Sequence, residues 1–293
     1  MPYRTLITTE QLAASLEDPA FVIVDCRFLL TDVEWGRRVY LEAHIPGARY
    51  AHLDDQLSGP KTGTNGRHPL PDPDVLAEAL GRLGIERGRQ VAAYDQDTGM
   101  YASRLWWLLR WLGHDEAAVL DGGFAKWLAE GRPTRAGEEA ARPARFTGTP
   151  RPDMTIAADG VEAVRSSRSW RLIDARAPER YRGETEPYDR VAGHIPGAMN
   201  RPLNDNLTAA GTFKPAADLR AEFASAAGGV STDHVIAYCG SGVTASHHVL
   251  ALEHAGLHGA RLYPGSWSEW SSDPSRPVAT GEEQPGPSGQ RRA

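Results

Sequence analysis

The sequence is poor in cysteine: it has two among 293 residues, and they do not form a Cys-x-x-Cys pair. Two cysteines cannot build a disulfide framework, and without a closely spaced pair a thioredoxin-type redox site is excluded. Such sparse use of cysteine is typical of a reducing compartment, so we expect a cytoplasmic protein.

Long apolar runs and an excess of basic residues are also missing. No stretch approaches the roughly 20 apolar residues of a membrane helix, and residues 1–5 lack the apolar core of a signal peptide. The formal net charge of −6 argues against a broad nucleic-acid surface. We therefore expect neither a membrane nor nucleic acid as a partner. The ten histidines show no metal-ligand spacing, so no metal site is expected.

The two halves of the chain repeat one another. The pentapeptide His-Ile-Pro-Gly-Ala occurs at 44–48 and at 194–198, and an Asp-x-Arg triplet occurs at 25–27 and at 174–176. Apolar runs typical of buried strands alternate with helical patterns; these runs are 21–25, 91–95, 172–176 and 235–238. The pattern predicts two copies of one α/β domain, each a mainly parallel sheet with helices on both faces.

Composition indicates where the copies begin and end. We predict a first domain at 1–130 and a second, catalytic domain at 153–279. The segment 131–152 holds four prolines and several charges without an apolar period, so it is predicted to be an exposed linker. Residues 280–293 contain little that could be buried, and we expect a disordered tail there.

One cysteine lies in a turn suited to chemistry. Cys239-Gly240-Ser241-Gly242-Val243-Thr244-Ala245 follows a predicted strand and precedes a helical pattern at 246–254. In such a turn the backbone N–H groups can point at the sulfur, and the helix N-terminus adds positive potential. This environment favours a thiolate and would hold an anion delivered to it.

A buried, inert cysteine is the structural alternative for Cys239. The repeat argues against it, because Asp95 stands at the matching place in the first half, where the loop is one residue longer. A duplicated domain with one intact cysteine loop indicates one active site and one supporting copy. Cys26 aligns with Ala175 and follows a predicted strand, so it is interpreted as a core residue.

These motifs together resemble the two-domain rhodanese-type sulfurtransferases over about residues 3–278. The resemblance rests on both His-Ile-Pro-Gly-Ala segments, a Trp-rich helix followed by Leu-Asp-Gly-Gly, the Gly-Ser-Trp-Ser-Glu-Trp segment and the cysteine loop. It implies tandem rhodanese-like domains and transfer of a sulfane sulfur through a persulfide on Cys239. It implies no metal or organic cofactor, and a thiol such as thioredoxin or glutathione, or cyanide, as acceptor.

The sequence of the cysteine loop also indicates which sulfur donor the protein uses. Within the family, Cys-Gly-Ser-Gly-Val-Thr-Ala is typical of 3-mercaptopyruvate sulfurtransferases, whereas thiosulfate sulfurtransferases usually carry basic residues just after the cysteine. The resemblance therefore favours 3-mercaptopyruvate, with thiosulfate as the alternative donor. The backbone of Gly240, Gly242, Val243 and Thr244 and the hydroxyls of Ser241 and Thr244 are predicted to hold the persulfide.

A mercaptopyruvate carboxylate needs cationic partners. The resemblance places one of them at Arg180. In the family a second arginine directly follows a Glu-Pro pair, but here Glu186-Pro187 is followed by Tyr188, and the nearest arginine is Arg190. We therefore list Arg190 as the second binding residue, with a solvated surface charge as the alternative for it and for Arg182.

The family also implies a Ser–His–Asp proton relay. Ser241 would supply the hydroxyl, with His44 and Asp32 of the first half as its partners. The alternative is that both His-Ile-Pro-Gly histidines simply bond to backbone in a turn.

Two other functions are compatible with a cysteine in such a loop. Cysteine phosphatases use a similar loop but need an arginine six positions after the cysteine, where this chain has Ala245. A sulfur carrier that serves one pathway stays open, because it would have the same intact loop.

Overall fold

A computed structural model of the chain describes residues 2–282. The strands of the first half are β1 (Leu6–Ile7), β2 (Phe21–Asp25), β3 (Arg49–Tyr50), β4 (Gln90–Tyr94) and β5 (Ala117–Leu120). Its helices are α1 (Thr9–Ala13), α2 (Trp35–Glu42), α3 (Pro73–Arg82), α4 (Ala102–Trp111) and α5 (Gly123–Ala129). The strands of the second half are β6 (Arg171–Asp174), β7 (Ala198–Asn200), β8 (Val235–Tyr238) and β9 (Arg261–Leu262). Its helices are α6 (Ala158–Val164), α7 (Pro178–Tyr181), α8 (Ala216–Ala227), α9 (Thr244–His254) and α10 (Ser266–Trp270).

Each half contains one parallel sheet. The strand order is β1-β5-β4-β2-β3 in the first half and β7-β6-β8-β9 in the second. All pairings among strands β1 to β9 are parallel, with Val24 opposite Ala93 in the first sheet and Ile173 opposite Ala237 in the second. The four runs predicted as strands form β2, β4, β6 and β8, which confirms the predicted α/β class.

In the first half, the Asp-x-Arg and His-Ile-Pro-Gly-Ala motifs form one buried set of contacts, which we call the bracket. Arg27 Nη2 lies 2.6 Å from the Asp25 carboxylate and donates a second hydrogen bond of 2.6 Å to the carbonyl of Ala43. The next residue, His44, is fully buried, stacks on the Tyr40 ring and bonds through Nδ1 to the Tyr40 carbonyl. Both motifs therefore act together to fix the turn after α2.

The second half repeats this bracket closely. Arg176 Nη2 lies 2.6 Å from the Asp174 carboxylate and donates to the carbonyl of Gly193 at 2.7 Å. His194 stacks on Tyr181, and its Nδ1 lies 2.8 Å from the Tyr181 carbonyl. The same contacts in both copies indicate a structural role for these motifs, since only one copy carries the cysteine loop.

An apolar cluster joins the two halves. Helix α4 packs on α9, and a single cluster of buried side chains extends from Val22 in β2 to Leu262 in β9. Trp106 and Trp107 of α4 are fully buried within it. Because β4 and β8 lead into α4 and α9, this packing brings the carboxyl ends of the two sheets together.

The segment between the halves runs along the first one. Most of residues 131–152 are exposed, but Phe146 is buried and the N–H of Ala144 donates to the Gly81 carbonyl. Of the expected tail at 280–293, only residues 280–282 are described; the others lie outside the described residues. Among the helices of residues 2–282, none has both the length and the apolar character required to cross a membrane.

Two adjacent histidines lie buried at the start of α9. Nδ1 of His247 and Nδ1 of His248 both approach the side-chain amide of Asn206, at 3.0 and 2.9 Å. Nε2 of His248 bonds to the Arg201 carbonyl at 2.6 Å. Burial lowers the pKa of each histidine to about 3, so both rings are neutral at physiological pH.

This burial makes the fold sensitive to acid. Below pH 6.5 the unfolded histidines take up protons while the folded ones stay neutral, so stability is full above pH 6.5 and falls below it. Lowering the pH from 7.5 to 5.5 should therefore destabilise the protein. Over this step the free energy of unfolding of His248→Gln should fall by about 1.4 kcal/mol less than that of the wild type, as measured by urea unfolding. His258→Gln, at an exposed position, is the control, and equal losses in all three proteins would contradict the prediction.

Candidate active site

Cys239 lies one residue beyond β8, at the carboxyl end of the second sheet. Its side chain is 1% exposed, and the N–H of Gly242 points at its sulfur with an N–S distance of 3.2 Å. Gly242 has a φ of +77°, and a Cβ there would lie 2.3 Å from the Pro264 carbonyl oxygen. Only glycine fits, so the backbone turns tightly around the sulfur.

The start of α10 supports this loop from behind. The N–H of Cys239 donates to Ser266 Oγ, and the carbonyls of Cys239 and Gly240 accept from the N–H groups of Trp267 and Ser268. Ser266 has a φ of +53°, a conformation that costs energy in a non-glycine residue. Its hydroxyl also donates to the Tyr263 carbonyl. The Gly-Ser-Trp-Ser segment thus fixes the backbone on which the cysteine lies.

A cavity of about 230 Å³ opens above Cys239 between the two halves. The first half contributes Leu29, Leu30, Thr31, Arg67, His68, Met100 and Tyr101, and the second half contributes Arg180, Tyr188, Cys239, Gly240, Ser241, Val243 and Thr244. Met100 belongs to the loop that replaces the cysteine loop in the first half, and its sulfur accepts a hydrogen bond from Thr244 Oγ1. Within residues 2–282 no cluster of three His, Cys, Asp or Glu side chains could hold a metal ion.

The hydroxyl of Ser241 bonds to a histidine of the first half. His68 Nδ1 lies 2.7 Å from Ser241 Oγ, and His68 Nε2 lies 3.4 Å from Asp54 Oδ1. Burial lowers the pKa of His68 to about 3, so the ring is neutral. We assign its proton to Nε2, facing the carboxylate, which leaves Nδ1 to accept the serine proton.

The relay expected from sequence was therefore wrong in two of its three members. His44 is enclosed by Tyr40 in the bracket described above and does not line the cavity. Asp32 lies on the surface, where it pairs with Arg38, although its neighbour Thr31 does line the cavity. His68 was missed because it lies in an irregular segment, 57–70, with no apolar period and no counterpart in the repeat. We call residues 57–70 the crossing loop, since the N–H of Arg67 donates to Ser268 Oγ of the second half.

Two guanidinium groups converge beside the cysteine. A Cβ placed on Gly240 would lie 3.0 Å from Nη2 of Arg67 and 3.4 Å from Nη2 of Arg180. Arg67 pairs with Asp189 at 2.8 Å, and Arg180 pairs with Glu186 at 2.7 Å. These two acids hold the guanidinium groups at the wall of the cavity.

The second arginine was misplaced by the sequence prediction. Arg190 is exposed and does not line the cavity, and Arg182 pairs with Glu184 on the surface. Arg67, which comes from the other half of the chain, takes the position that was assigned to Arg190. Spacing within the second half could not reveal it, because the contact forms only when the halves pack.

Tyr188 covers both guanidinium groups at the mouth of the cavity. The Arg67 and Arg180 Cζ atoms lie 5.3 and 5.1 Å from the centre of its ring, within the range of cation–π attraction. The side chain is 45% exposed. An aromatic ring thus follows Glu186-Pro187, at the place where the resemblance predicts an arginine.

The first half shows what such a loop binds. The Asp95 carboxylate accepts hydrogen bonds from the N–H groups of Asp97, Gly99, Tyr101 and Ala102, at 2.7 to 3.3 Å. Burial raises the pKa of Asp95 to about 6 even though these bonds act to lower it. The loop is therefore a ring of amides around an anionic group, filled here by a side chain of the protein itself.

Comparison with known proteins agrees with this architecture. Residues 8–130 and 157–273 match the family described as "Rhodanese-like domain". A Pseudomonas aeruginosa protein described as "Probable 3-mercaptopyruvate sulfurtransferase" is 49% identical over 279 residues, covering 94% of this chain and 98% of the relative. Thiosulfate sulfurtransferase of Mus musculus is 34% identical over 277 residues, covering 92% of each chain.

A solved structure extends the comparison to three dimensions. The crystal structure of SseA from Escherichia coli, described among the 3-mercaptopyruvate sulfotransferases, superposes with a TM-score of 0.79 at 30% identity. The match covers 90% of this chain and 99% of SseA. The resemblance drawn from the motifs is thereby confirmed, and the chain belongs to the rhodanese family, with two rhodanese-like domains in tandem.

Proposed function

We propose that the chain is a sulfurtransferase that moves a sulfane sulfur from 3-mercaptopyruvate to a thiol acceptor through a persulfide on Cys239. The observation that carries this proposal is the convergence of three elements on one cavity. These are a cysteine in an amide ring, two guanidinium groups beside it, and a serine bonded to a neutral histidine.

The first half-reaction uses the cysteine and the relay. The Cys239 thiolate attacks the donor sulfur, forming an S–S bond, and the C–S bond breaks with its electron pair left on the pyruvate enolate. Ser241 and His68 take the proton of the donor thiol and return it to the enolate carbon, which gives pyruvate. The donor carboxylate is held by Arg67 and Arg180, in a bidentate or paired arrangement typical of arginine.

The second half-reaction discharges the persulfide. The N–H groups from Gly240 to Thr244 hold the outer sulfur as an anion, as the matching amides hold the Asp95 carboxylate in the first half. An acceptor thiolate, such as that of thioredoxin or glutathione, attacks the outer sulfur and regenerates the Cys239 thiolate. Such acceptors are abundant in a reducing cytoplasm, where we place the protein.

Thiosulfate is the second candidate donor, and one observation favours it. Both guanidinium groups lie close to Gly240, next to the reactive sulfur, where they could bind a compact dianion. However, Glu186 and Asp189 neutralise them, and a wall without net charge suits a monocarboxylate better than a dianion.

The deciding experiment is steady-state sulfur transfer with 3-mercaptopyruvate and with thiosulfate, for the wild type and for Cys239→Ser. We expect a higher kcat/KM with 3-mercaptopyruvate, and background activity for the serine variant with both donors. Preference for thiosulfate would assign the chain to the other activity of the family. Absence of turnover with either donor in the wild type would leave a dedicated persulfide carrier as the function.

The relay predicts an effect that depends on the donor. His68→Ala should lower kcat with 3-mercaptopyruvate by about 10²-fold or more, because an enolate must be protonated. It should change thiosulfate turnover far less, because sulfite leaves as an anion without needing a proton. Ser241→Ala should behave in the same way, and the double variant should be no slower than either single one. Equal losses with the two donors would contradict a relay.

The pH dependence of this relay follows from the buried histidine. Because the pKa of His68 is lowered to about 3, its ring stays neutral as the pH falls from 7.5 to 5. The kcat profile for 3-mercaptopyruvate should therefore show no loss centred near pH 6.5. Such a loss, if it disappears in His68→Ala, would show that the ring titrates normally.

Tyr188 should act on donor binding alone. Its two cation–π contacts, at about 0.5 kcal/mol each at an exposed site, order the guanidinium groups before the donor arrives. Tyr188→Ala should thus raise the KM for 3-mercaptopyruvate about fivefold with little change in kcat, while Tyr188→Phe should retain the wild-type KM. Val191→Ala, a half-exposed position in the same segment that does not line the cavity, is the control. An unchanged KM in Tyr188→Ala would rule out this role.

A further inference from the structure

A fully buried arginine lies behind the site without an acidic partner. Arg104 is in the first turn of α4 and has no exposed surface. Within residues 2–282 no carboxylate contributes to its ionisation, and its Nη1 has no hydrogen-bond partner. Burying a guanidinium without an acidic partner costs free energy of folding. We therefore expect Arg104 to have a role that offsets this cost.

Within residues 2–282 the side-chain hydrogen bonds of Arg104 all go to the crossing loop. Nη2 donates to the carbonyls of His68 and Pro69 at 3.1 and 3.4 Å, and Nε donates to the carbonyl of Leu57 at 3.4 Å. One rigid guanidinium therefore joins the beginning of this loop to its end. The loop itself has no helix or strand that could fix its path.

The crossing loop carries two of the groups that face Cys239. Arg67 reaches over Gly240, and His68 bonds to Ser241. Because Arg104 bonds to the carbonyl of His68 itself, a shift of this guanidinium would move the ring that serves the relay. Its position is thus coupled directly to the geometry of proton transfer.

Arg104 keeps its charge inside the fold. Burial lowers the pKa of Arg104 to about 10, and an ionised Cys239 acts to raise it. The guanidinium is therefore protonated at physiological pH, and its hydrogen bonds to the crossing loop are charge-assisted.

We propose that Arg104 is a positioning residue that holds His68 and Arg67 in place through the crossing loop. The proposal rests on the proposed function, since the relay that His68 serves is that of sulfur transfer from 3-mercaptopyruvate.

Two substitutions test the positioning role of Arg104. Arg104→Met removes the charge and the hydrogen bonds, whereas Arg104→Lys keeps the charge but cannot reach three carbonyls. Arg110→Met is the matched control, because Arg110 lies on the same helix and pairs with Glu253 and Asp115 away from the cavity.

The first readout needs no sulfur donor. Limited proteolysis with trypsin is followed by mass spectrometry at Lys61 and Arg67, which lie in the crossing loop. We expect cleavage there to be about tenfold faster in Arg104→Met and in Arg104→Lys, because both lose hydrogen bonds that fix this loop. The rate should stay at the wild-type value in the Arg110→Met control. An unchanged rate in folded Arg104→Met would overturn the positioning role.

The second readout is turnover with 3-mercaptopyruvate. Both Arg104 variants should lose at least tenfold in kcat, whereas Arg110→Met should stay within twofold of the wild type. If Arg104→Met does not fold, Arg104→Lys alone decides, and a kcat within twofold of the wild type in that variant would overturn the positioning role. If the wild type itself transfers no sulfur, the proposed function fails, whereas the cleavage rates in the crossing loop still report on Arg104.

Discussion

The site depends on the packing of the two halves against each other, and the hydrogen bond between Ser241 and His68 shows this directly. It joins the two halves at the point of chemistry, 173 positions apart in the chain. Neither half can form it alone, so the packing of α4 on α9 and the path of the crossing loop are requirements of the site. The pair of arginines that lines the cavity also requires both halves, since Arg67 and Arg180 come from different halves.

Comparison of the two copies distinguishes the motifs that stabilise the fold from the loops that take part in the chemistry. The Asp-x-Arg and His-Ile-Pro-Gly-Ala motifs make the same buried contacts in both copies, including the copy without the cysteine. Their role is therefore to hold the turn at His44 in the first copy and the turn at His194 in the second. What differs between the copies, the cysteine loop and the crossing loop, is where the chemistry lies.

Sequence reasoning succeeded where the signal is local. The strands, the parallel sheets and the loop around Cys239 all follow from runs of neighbouring residues, and the loop placed five of its residues at the cavity. It was wrong for His44, Asp32 and Arg190, because these were chosen by motif or spacing within one half. Arg67 and His68 lie in the crossing loop, which has no apolar period or repeat, so only the packed halves reveal that they line the cavity with Cys239.

The carboxylate in the first loop has a consequence for the resting state of the protein. Four backbone N–H groups converge on Asp95, whereas among residues 2–282 one backbone N–H, that of Gly242, donates to the sulfur of Cys239. An outer sulfur on Cys239 would give the remaining amides of that ring an anionic acceptor. The persulfide form of the protein should then be more rigid than the form without the outer sulfur. The protein would hold the transferred sulfur in this more rigid form until an acceptor binds.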